Sequence, residues 1–388
     1  MTRLWRTRLS REGVYYCLVV VAVLSGAVGR QLNLLMLVGS VLAGPFLFSL
    51  IYGRLALRRL AVERKLPSHL HAAERLAVDV NVTNHRRWLG VWGVEVQDVV
   101  RREEASGSAQ DVSAAVFFTH VAAGETSGVR YAGRLPRRGR YCFGPLRLMS
   151  RFPLGLVRHS RIVPDTSTLI VHPKLGMLTR NWAHIARENA TGGQRMQRRG
   201  LLEGEFHGLR DWRPGDSRRW VHWRTSARRG ALVVRQFEQR RSEDLALLVD
   251  LWQPQDPSDE QRENVETAVS FAASVIAEAC GQLGRQLVLS VAAEQPLHHS
   301  GPGSPMFFRE QMDALSLVAP HSQAGFPRSL GQSLAMVPGS MSTLVVSTRR
   351  IDWQSLRAAV AEFDARIDGR AVQGVEVTSP LFSRYFQA

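Results

Sequence analysis

Two long stretches without charged residues lie near the N-terminus. Residues 13–29 and 31–53 are rich in Val, Leu and Ala, and only Arg30 separates them. A helix needs roughly 20 apolar residues to cross a bilayer, with about 17 as the lower limit. Neither stretch carries an amphipathic stripe, so a buried pair of soluble helices is the weaker interpretation. The pattern predicts a transmembrane hairpin over residues 1–62, with helices at about 13–29 and 32–53.

Positive charges flank the predicted hairpin on both outer sides. The flanking residues are Arg3, Arg6, Arg8 and Arg11 before it, and Arg54, Arg58, Arg59, Arg64 and Lys65 after it. Because cytoplasmic flanks are rich in Lys and Arg, both termini are predicted to be cytoplasmic. A cleaved signal peptide followed by one helix is the competing interpretation, which the small residues at 25–27 allow.

The next region, residues 63–175, alternates between apolar and polar positions. Residues 76–83, 91–100 and 112–120 each follow the period of two that is typical of a half-buried strand. Turn sequences separate them, and no long helical period intervenes. The pattern predicts an all-β, sandwich-like module.

Residues 242–388 follow a different pattern. Residues 245–250 form a continuous apolar run that ends in Asp250, as in a strand buried on both faces. Helical spacings of three and four follow, and further short apolar runs alternate with helical segments. The region is predicted to be a doubly wound α/β domain with parallel strands. Because such sheets bind ligands at the carboxyl ends of their strands, Asp250 is a candidate site residue.

The charge balance is strongly basic and depends almost wholly on arginine. The chain has 50 Lys and Arg against 34 Asp and Glu, a net charge of +16, yet Lys65 and Lys174 are its only lysines. Arginine-biased composition can arise without a function, and a basic protein can also lie against an anionic membrane leaflet. The three cysteines are far apart in the sequence, so no disulfide framework or zinc site is predicted.

The segment EGEFHGLRDWRPGDSRRWVHWRTSARRGALVVRQFE, residues 203–238, concentrates tryptophan and arginine within a connector over 176–241. Pro214 and Gly215 predict a turn, and Asp216 is expected to cap a helix over residues 217–229. Gly230 then ends that helix in the left-handed conformation.

This segment resembles the signature of the DUF58 family. The matching residues are Glu205, Gly208, Leu209, Arg210, Trp212, Pro214, Gly215, Asp216, Arg219, Trp223, Ser226, Ala227, Arg228, Leu232, Val234, Arg235, Phe237 and Glu238. The resemblance implies a two-pass protein of the bacterial inner membrane with a von Willebrand A-like C-terminal domain. It also implies a MoxR-type AAA+ ATPase as partner.

Family members often begin a metal-ion-dependent adhesion site with Asp-x-Ser-x-Ser. This chain keeps Asp250 but has Trp252 and Pro254 where the two serines stand. A hard cation prefers several oxygen ligands. We therefore treat Asp250 as a degenerate metal-site position and expect no metal or other cofactor.

Two interpretations of the signature segment remain open. In the favoured one it joins the two soluble modules: its tryptophans bury against the α/β sheet, and its arginines pair with acids. The expected pairs join Arg210, Arg219 and Arg235 to Glu203, Glu205, Asp211 or Glu238. In the other, the segment binds an anionic partner, for which the neighbouring Arg195, Arg198, Arg199, Arg240 and Arg241 are better candidates. The signature residues singled out are Arg210, Trp212, Gly215, Asp216, Arg219, Trp223, Arg228 and Arg235.

The function that these observations favour is a membrane-tethered scaffold for protein interaction. The alternatives are an enzyme that uses Asp211 or Asp216 with His207 or His222, or a basic protein that binds anions or nucleic acid. The chain has no nucleophile elbow, HExxH motif or P-loop. We expect no catalytic activity, no nucleic acid and no small-molecule ligand.

Overall fold

The fold is taken from a computed structural model. It describes residues 5–103, 111–179, 182, 205–214, 216–238, 244–281, 284–323, 328–338, 341–356 and 372–387. The chain divides into two compact units, Met1–His172 and Pro173–Ala388.

The first unit contains the two apolar helices and ten of the described strands. Its elements are β1 (Trp5–Leu9), α1 (Arg11–Arg30), α2 (Asn33–Arg58), β2 (Leu60–Lys65), β3 (Arg75–Asn84), β4 (Val91–Arg102), β5 (Val112–Val121), β6 (Thr126–Arg134), β7 (Gly139–Phe143), β8 (Leu146–Ser150), β9 (Val157–Val163) and β10 (Ser167–Val171).

The strands of this unit form two sheets around one apolar core. A seven-stranded sheet has the order β1-β9-β8-β4-β7-β10, with β5 also paired to β4, and a three-stranded sheet has the order β2-β3-β6. Alternate side chains of β3 and of β4, such as Val80 and Val96, meet in the same buried cluster. The sequence prediction of a sheet-rich region with period-two strands is confirmed.

Among the described residues, helices α1 and α2 are the two that are long and apolar enough to cross a membrane. Their apolar side chains are largely exposed, as Leu34 and Val41 illustrate. The last turns of α2 differ, because Tyr52, Ala56 and Leu57 are buried in the core of the β sheets. Helix α2 therefore continues beyond its apolar stretch and becomes part of the sheet-rich unit.

Strand β1 precedes α1 and pairs antiparallel with β9, in a register that runs from Trp5 opposite Arg161 to Leu9 opposite Val157. This strand was not predicted from the sequence, because its five residues WRTRL are too few to stand out from the basic flank of the hairpin. Ser10 then caps α1 by accepting a hydrogen bond from the Gly13 amide, and its own hydroxyl donates to the Leu156 carbonyl.

The second unit consists of a small ribbon and an α/β region. Its elements are β11 (Met177–Leu178), β12 (Glu205–Asp211), a 3-10 turn (Arg218–Trp220), α3 (Trp223–Arg229), β13 (Val233–Glu238), β14 (Leu245–Asp250), α4 (Asp259–Cys280), β15 (Gln286–Ala292), β16 (Leu297–Pro302), α5 (Pro305–Leu317), α6 (Arg328–Met336), β17 (Ser342–Ser347), β18 (Val372–Glu376), a 3-10 turn (Phe382–Arg384) and β19 (Phe386–Gln387).

The α/β region is built on a sheet of order β16-β15-β14-β17-β18. All neighbours pair in parallel except the antiparallel edge strand β16. Leu247 and Val249 of β14 pack with α4 on one face, and Ala246 and Leu248 pack with α6 on the other. The predicted α/β region is thus present, with helices on both faces of a mostly parallel sheet.

Candidate functional site

The signature segment folds as an antiparallel ribbon of β12 and β13, with a register shift between Phe206 and Gly208. The chain between the strands returns to the ribbon twice. The amide of Trp212 donates to Leu232, and the amide of His222 donates to Val233. Ser226 links the connection further, because its hydroxyl accepts a hydrogen bond from the Val233 amide. Local hydrogen bonds therefore hold the signature residues together.

Asp216 is not a helix cap, contrary to the sequence prediction. Its carboxylate accepts two hydrogen bonds from Arg210, at 2.6 and 2.7 Å, and a third from the Arg213 amide at 2.9 Å. The hydrogen bonds from Arg210, followed by that from the Arg213 amide, hold the pKa of Asp216 below its usual value. Asp216 thus closes the 213–216 turn and pairs with Arg210.

The continuous helix predicted over residues 217–229 is also interrupted. Ser217 starts a single 3-10 turn, and Val221 is extended where it forms a bridge with Val234. Because Val221 is buried in that bridge, its backbone pairs with the ribbon and does not continue the helix. Helix α3 starts anew after His222, and Gly230 ends it with φ 68°, in the left-handed conformation that was predicted.

His222 acts as the cap of α3. Its Nδ1 accepts from the Thr225 amide at 3.3 Å and lies 2.8 Å from the Thr225 hydroxyl. His207 and Gly215 were also singled out from the sequence. Nothing is described of the His207 side chain, and Gly215 lies outside the described residues.

The ion pairs predicted for the signature arginines are different in the structure. Arg210 pairs with Asp216 rather than with Glu203, Glu205, Asp211 or Glu238. Arg219 and Arg235 have no ion-pair partner among the residues whose side chains are described. Glu203 lies outside the described residues, and the side chains of Glu205 and Glu238 are not described. The neighbouring Arg195, Arg198, Arg199, Arg240 and Arg241 also lie outside them.

The outer surface of α3 is exposed. The side chain of Trp223 is 66% exposed. Arg228 of the same helix, Arg219 of the 3-10 turn and Arg235 of β13 are also exposed. None of the described ribbon residues belongs to the apolar clusters of the α/β sheet, so the prediction that the signature tryptophans bury against that sheet is wrong for Trp223. Trp212 is half-buried, and its indole N–H has no hydrogen-bond partner among the described residues.

A second cluster of polar residues lies at the carboxyl end of β14. Asp250 is buried, and His321 Nε2 lies 2.8 Å from its Oδ1. The Ser347 hydroxyl and Arg349 Nε donate to its Oδ2, at 3.0 and 3.1 Å. Because the Gln323 amide donates to His321 Nδ1, the imidazole carries its proton on Nε2 and donates it to Asp250.

The surroundings of Asp250 do not fit a hard cation. The guanidinium of Arg349 contacts the carboxylate directly and lies 5.2 Å from the centre of the Trp252 ring. A bound divalent ion would face that positive charge and would lack the two hydroxyls at positions 252 and 254. His321, Ser347 and Arg349 are functional-site candidates that the sequence analysis missed, because they follow Asp250 by 71 to 99 residues.

Comparison with known proteins finds a relative without a stated activity. An uncharacterised protein, YeaD, of Bacillus subtilis (strain 168) is 28% identical over 242 residues, which are 60% of this chain. The match spans 58% of the length of that relative.

Among solved structures, a β-glucosidase from Listeria innocua matches at 18% identity with a TM-score of 0.19, covering 29% of this chain and 16% of its own. The CARDB domain of a Pyrococcus furiosus protein, in complex with di-metal ions, matches at 16% identity with a TM-score of 0.19, covering 29% of this chain and 91% of its own. TM-scores this low carry no argument about fold or function.

The family comparison bears directly on the signature. A family model described as "Protein of unknown function DUF58" matches residues 208–311, which include most of the signature ribbon and the first part of the α/β region. The predicted resemblance to the DUF58 family is therefore confirmed over residues 208–311.

Proposed function

We propose that this chain is a membrane-tethered docking protein that uses its signature ribbon to bind a MoxR-type AAA+ ATPase, and that the α/β region following the ribbon in the chain is von Willebrand A-like. The observation that carries the proposal is the exposed surface of α3, where Trp223 is 66% exposed among exposed arginines. Tryptophan and arginine are the residues most enriched at the energetic centres of protein interfaces.

The charge of the signature segment favours an acidic partner. Arg219, Arg228 and Arg235 are exposed, and no described carboxylate pairs with them. An acidic surface on a partner supplies the missing charge and speeds the encounter of the two proteins. Arg210 does not contribute in the same way, because Asp216 already neutralises it.

The pairing of β1 with β9 supports the proposed membrane topology. Strand β1 lies before the apolar hairpin, and β9 lies after it, yet they are neighbours in one sheet. If the two helices span a membrane, both outer ends of the hairpin must lie on the same side. The basic flanks favour the cytoplasm for that side.

The polar clusters support docking rather than catalysis. Hydrogen bonds within the ribbon engage Asp216 and His222, which the enzyme hypothesis would use as acid and base. Asp250 is likewise enclosed by His321, Ser347 and Arg349. A general acid or base needs a substrate proton within hydrogen-bond reach, and these groups are directed at protein partners.

The docking test is affinity purification from detergent-solubilised membranes. We expect the ATPase to be recovered with the native chain and lost with Trp223→Ala or Arg219→Glu. Trp88→Ala is the matched control, since Trp88 is 93% exposed but lies in the first unit. Absence of an ATPase from the native preparation, with and without ATP, would contradict the proposal.

The topology test is cysteine labelling in a variant without the three native cysteines. A cysteine at Leu32, between the helices, should react with an impermeant reagent added to intact cells. A cysteine at Arg134, in β6, should react only after lysis. The reverse pattern would place the sheet-rich unit outside the cell.

A further inference from the structure

Four arginines meet on one face of strands β1, β9 and β8. Arg6 and Arg8 come from β1, Arg158 comes from β9 and Arg147 comes from β8, and all four are exposed. The register places Arg8 directly opposite Arg158, so their side chains point to the same side of the sheet. The four arginines line a depression of about 100 Å³, together with Met149, Ser160 and Ile162.

The arrangement of the four arginines does not stabilise the sheet. Like charges directly opposite each other on neighbouring strands are destabilising. Within the described part of the chain, none of the four guanidinium groups has a hydrogen-bond or ion-pair partner. Arg161, on the other face of β9, is different: it donates to the carbonyls of Leu57 and Leu60. Each of the four guanidinium groups therefore lacks, within the described residues, an ion-pair partner that a bound anion would supply.

The depression lies beside the start of the apolar hairpin. The β1–β9 ribbon ends at Leu9 opposite Val157, and α1 begins at Arg11. Arg8 and Arg158 are the next pair along the ribbon, about 3.4 Å away. The headgroup layer on each side of a bilayer is about 5–7 Å thick. With α1 in a membrane, these two side chains reach that layer.

We propose that the four-arginine depression binds a phosphate group, and that the phosphate is supplied by the headgroup of an anionic phospholipid. Guanidinium groups bind phosphate oxygens through paired, charge-assisted hydrogen bonds. The depression, of about 100 Å³, is large enough to admit one phosphate group. The lipid source rests on the membrane anchoring proposed above, whereas the phosphate site itself does not.

The test is the melting temperature of the full chain in nonionic detergent micelles. Phosphatidylglycerol, phosphatidylcholine and inorganic phosphate are added separately. A ligand that binds only the folded state raises the melting temperature as its concentration exceeds Kd. We expect phosphatidylglycerol to raise it, and phosphatidylcholine and inorganic phosphate at equal concentration to leave it unchanged.

Two double variants locate the effect. Arg8→Gln with Arg158→Gln should abolish the shift caused by phosphatidylglycerol, and without lipid it should melt no lower than the native chain, because the repulsion is removed. Arg75→Gln with Arg134→Gln removes another exposed arginine pair, directly opposite each other on β3 and β6, and should keep the shift.

The outcomes separate the two parts of the proposal. A phosphatidylglycerol shift that survives in the Arg8 and Arg158 double variant, or no shift with any additive, overturns the phosphate site. An equal shift with inorganic phosphate supports the site and overturns its lipid source. Release of the native chain from membranes by alkaline washing would refute the anchor, but it would not affect a shift measured in micelles.

Discussion

Arg64 and Asp98 form an ion pair that is wholly buried between the two sheets of the first unit. Arg64 Nη1 lies 2.7 Å from Asp98 Oδ1, and the two side chains are 0% and 2% exposed. Arg64 also donates to the carbonyl of Phe143, and the hydroxyl of Tyr131 donates to the second oxygen of Asp98. From the sequence, Arg64 is one of the charges that flank the hairpin, but the structure places its side chain in the core.

Removal of Arg64 alone should be severely destabilising. Arg64→Met leaves the Asp98 carboxylate buried without its counter-ion, which typically costs about 3–5 kcal/mol. The double variant Arg64→Met with Asp98→Leu removes both charges and should recover most of that loss. Hydrogen exchange of strands β2 and β4 measures the free energy of opening in the single variant and in the double variant. Equal protection in the native chain and the single variant would contradict the expected role of the pair.

A side chain at position 53 should separate α2 from the sheet. A Cβ at Gly53 would collide with the imidazole of His159, whose Nε2 lies 3.2 Å from the carbonyl oxygen of Ser49. We expect Gly53→Ala to lower the melting temperature by several degrees and His159→Ala added to it to restore part of the loss. Gly44→Ala is the control, because a Cβ there meets nothing within 4 Å.

The Arg210–Asp216 pair should stabilise the signature ribbon at neutral pH and lose its effect in acid. The folded state lowers the pKa of Asp216, so its contribution is fully present above the unfolded value of about 3.9 and disappears as the pH falls through the folded pKa. Asp216→Asn should raise amide exchange in β12 and β13 at pH 7. Below the folded pKa of Asp216 the variant and the native chain should exchange alike, and a difference that persists there would exclude titration of Asp216 as the cause.

Loss of the Asp250 carboxylate should weaken the carboxyl edge of the α/β sheet. In Asp250→Ala, His321 and Arg349 lose their shared acceptor, and Arg349 is only partly solvated, with 21% of its side chain exposed. We expect a loss of about 3 kcal/mol in the opening free energy of β14 and β17, measured by hydrogen exchange. Asp256→Ala, at an exposed position, should change it by less than about 0.5 kcal/mol.

The sequence predicts those features that depend on neighbouring residues. The period-two strand β3, the buried strand β14 and the left-handed Gly230 are all local patterns, and the structure contains each of them. Asp216 shows the limit of such reasoning, because an aspartate after Pro-Gly suits either a cap or a turn. Arg210, six residues earlier, decides between them by binding both carboxylate oxygens.

Features that join distant parts of the chain were not predictable in this way. No short-range pattern indicates that Asp250 meets His321 and Arg349, since only the parallel order of β14 and β17 brings them together. The exposure of Trp223 was missed for a related reason. A tryptophan at helical spacing is usually buried, and whether another layer covers it depends on packing beyond the ribbon.

The pairing of β1 with β9 also has a consequence for how the chain is made. Trp5 and Arg161 are partners in that register, so the first strand is synthesised long before the strand that completes it. At about 5–20 residues per second, the intervening chain takes a ribosome roughly 8–30 s to produce. Strand β1 therefore remains unpaired during that interval, while the apolar hairpin has already left the ribosome. Delivery to the membrane can therefore precede folding of the sheet, and closure of the β1 edge is one of the last events in the biogenesis of the first unit.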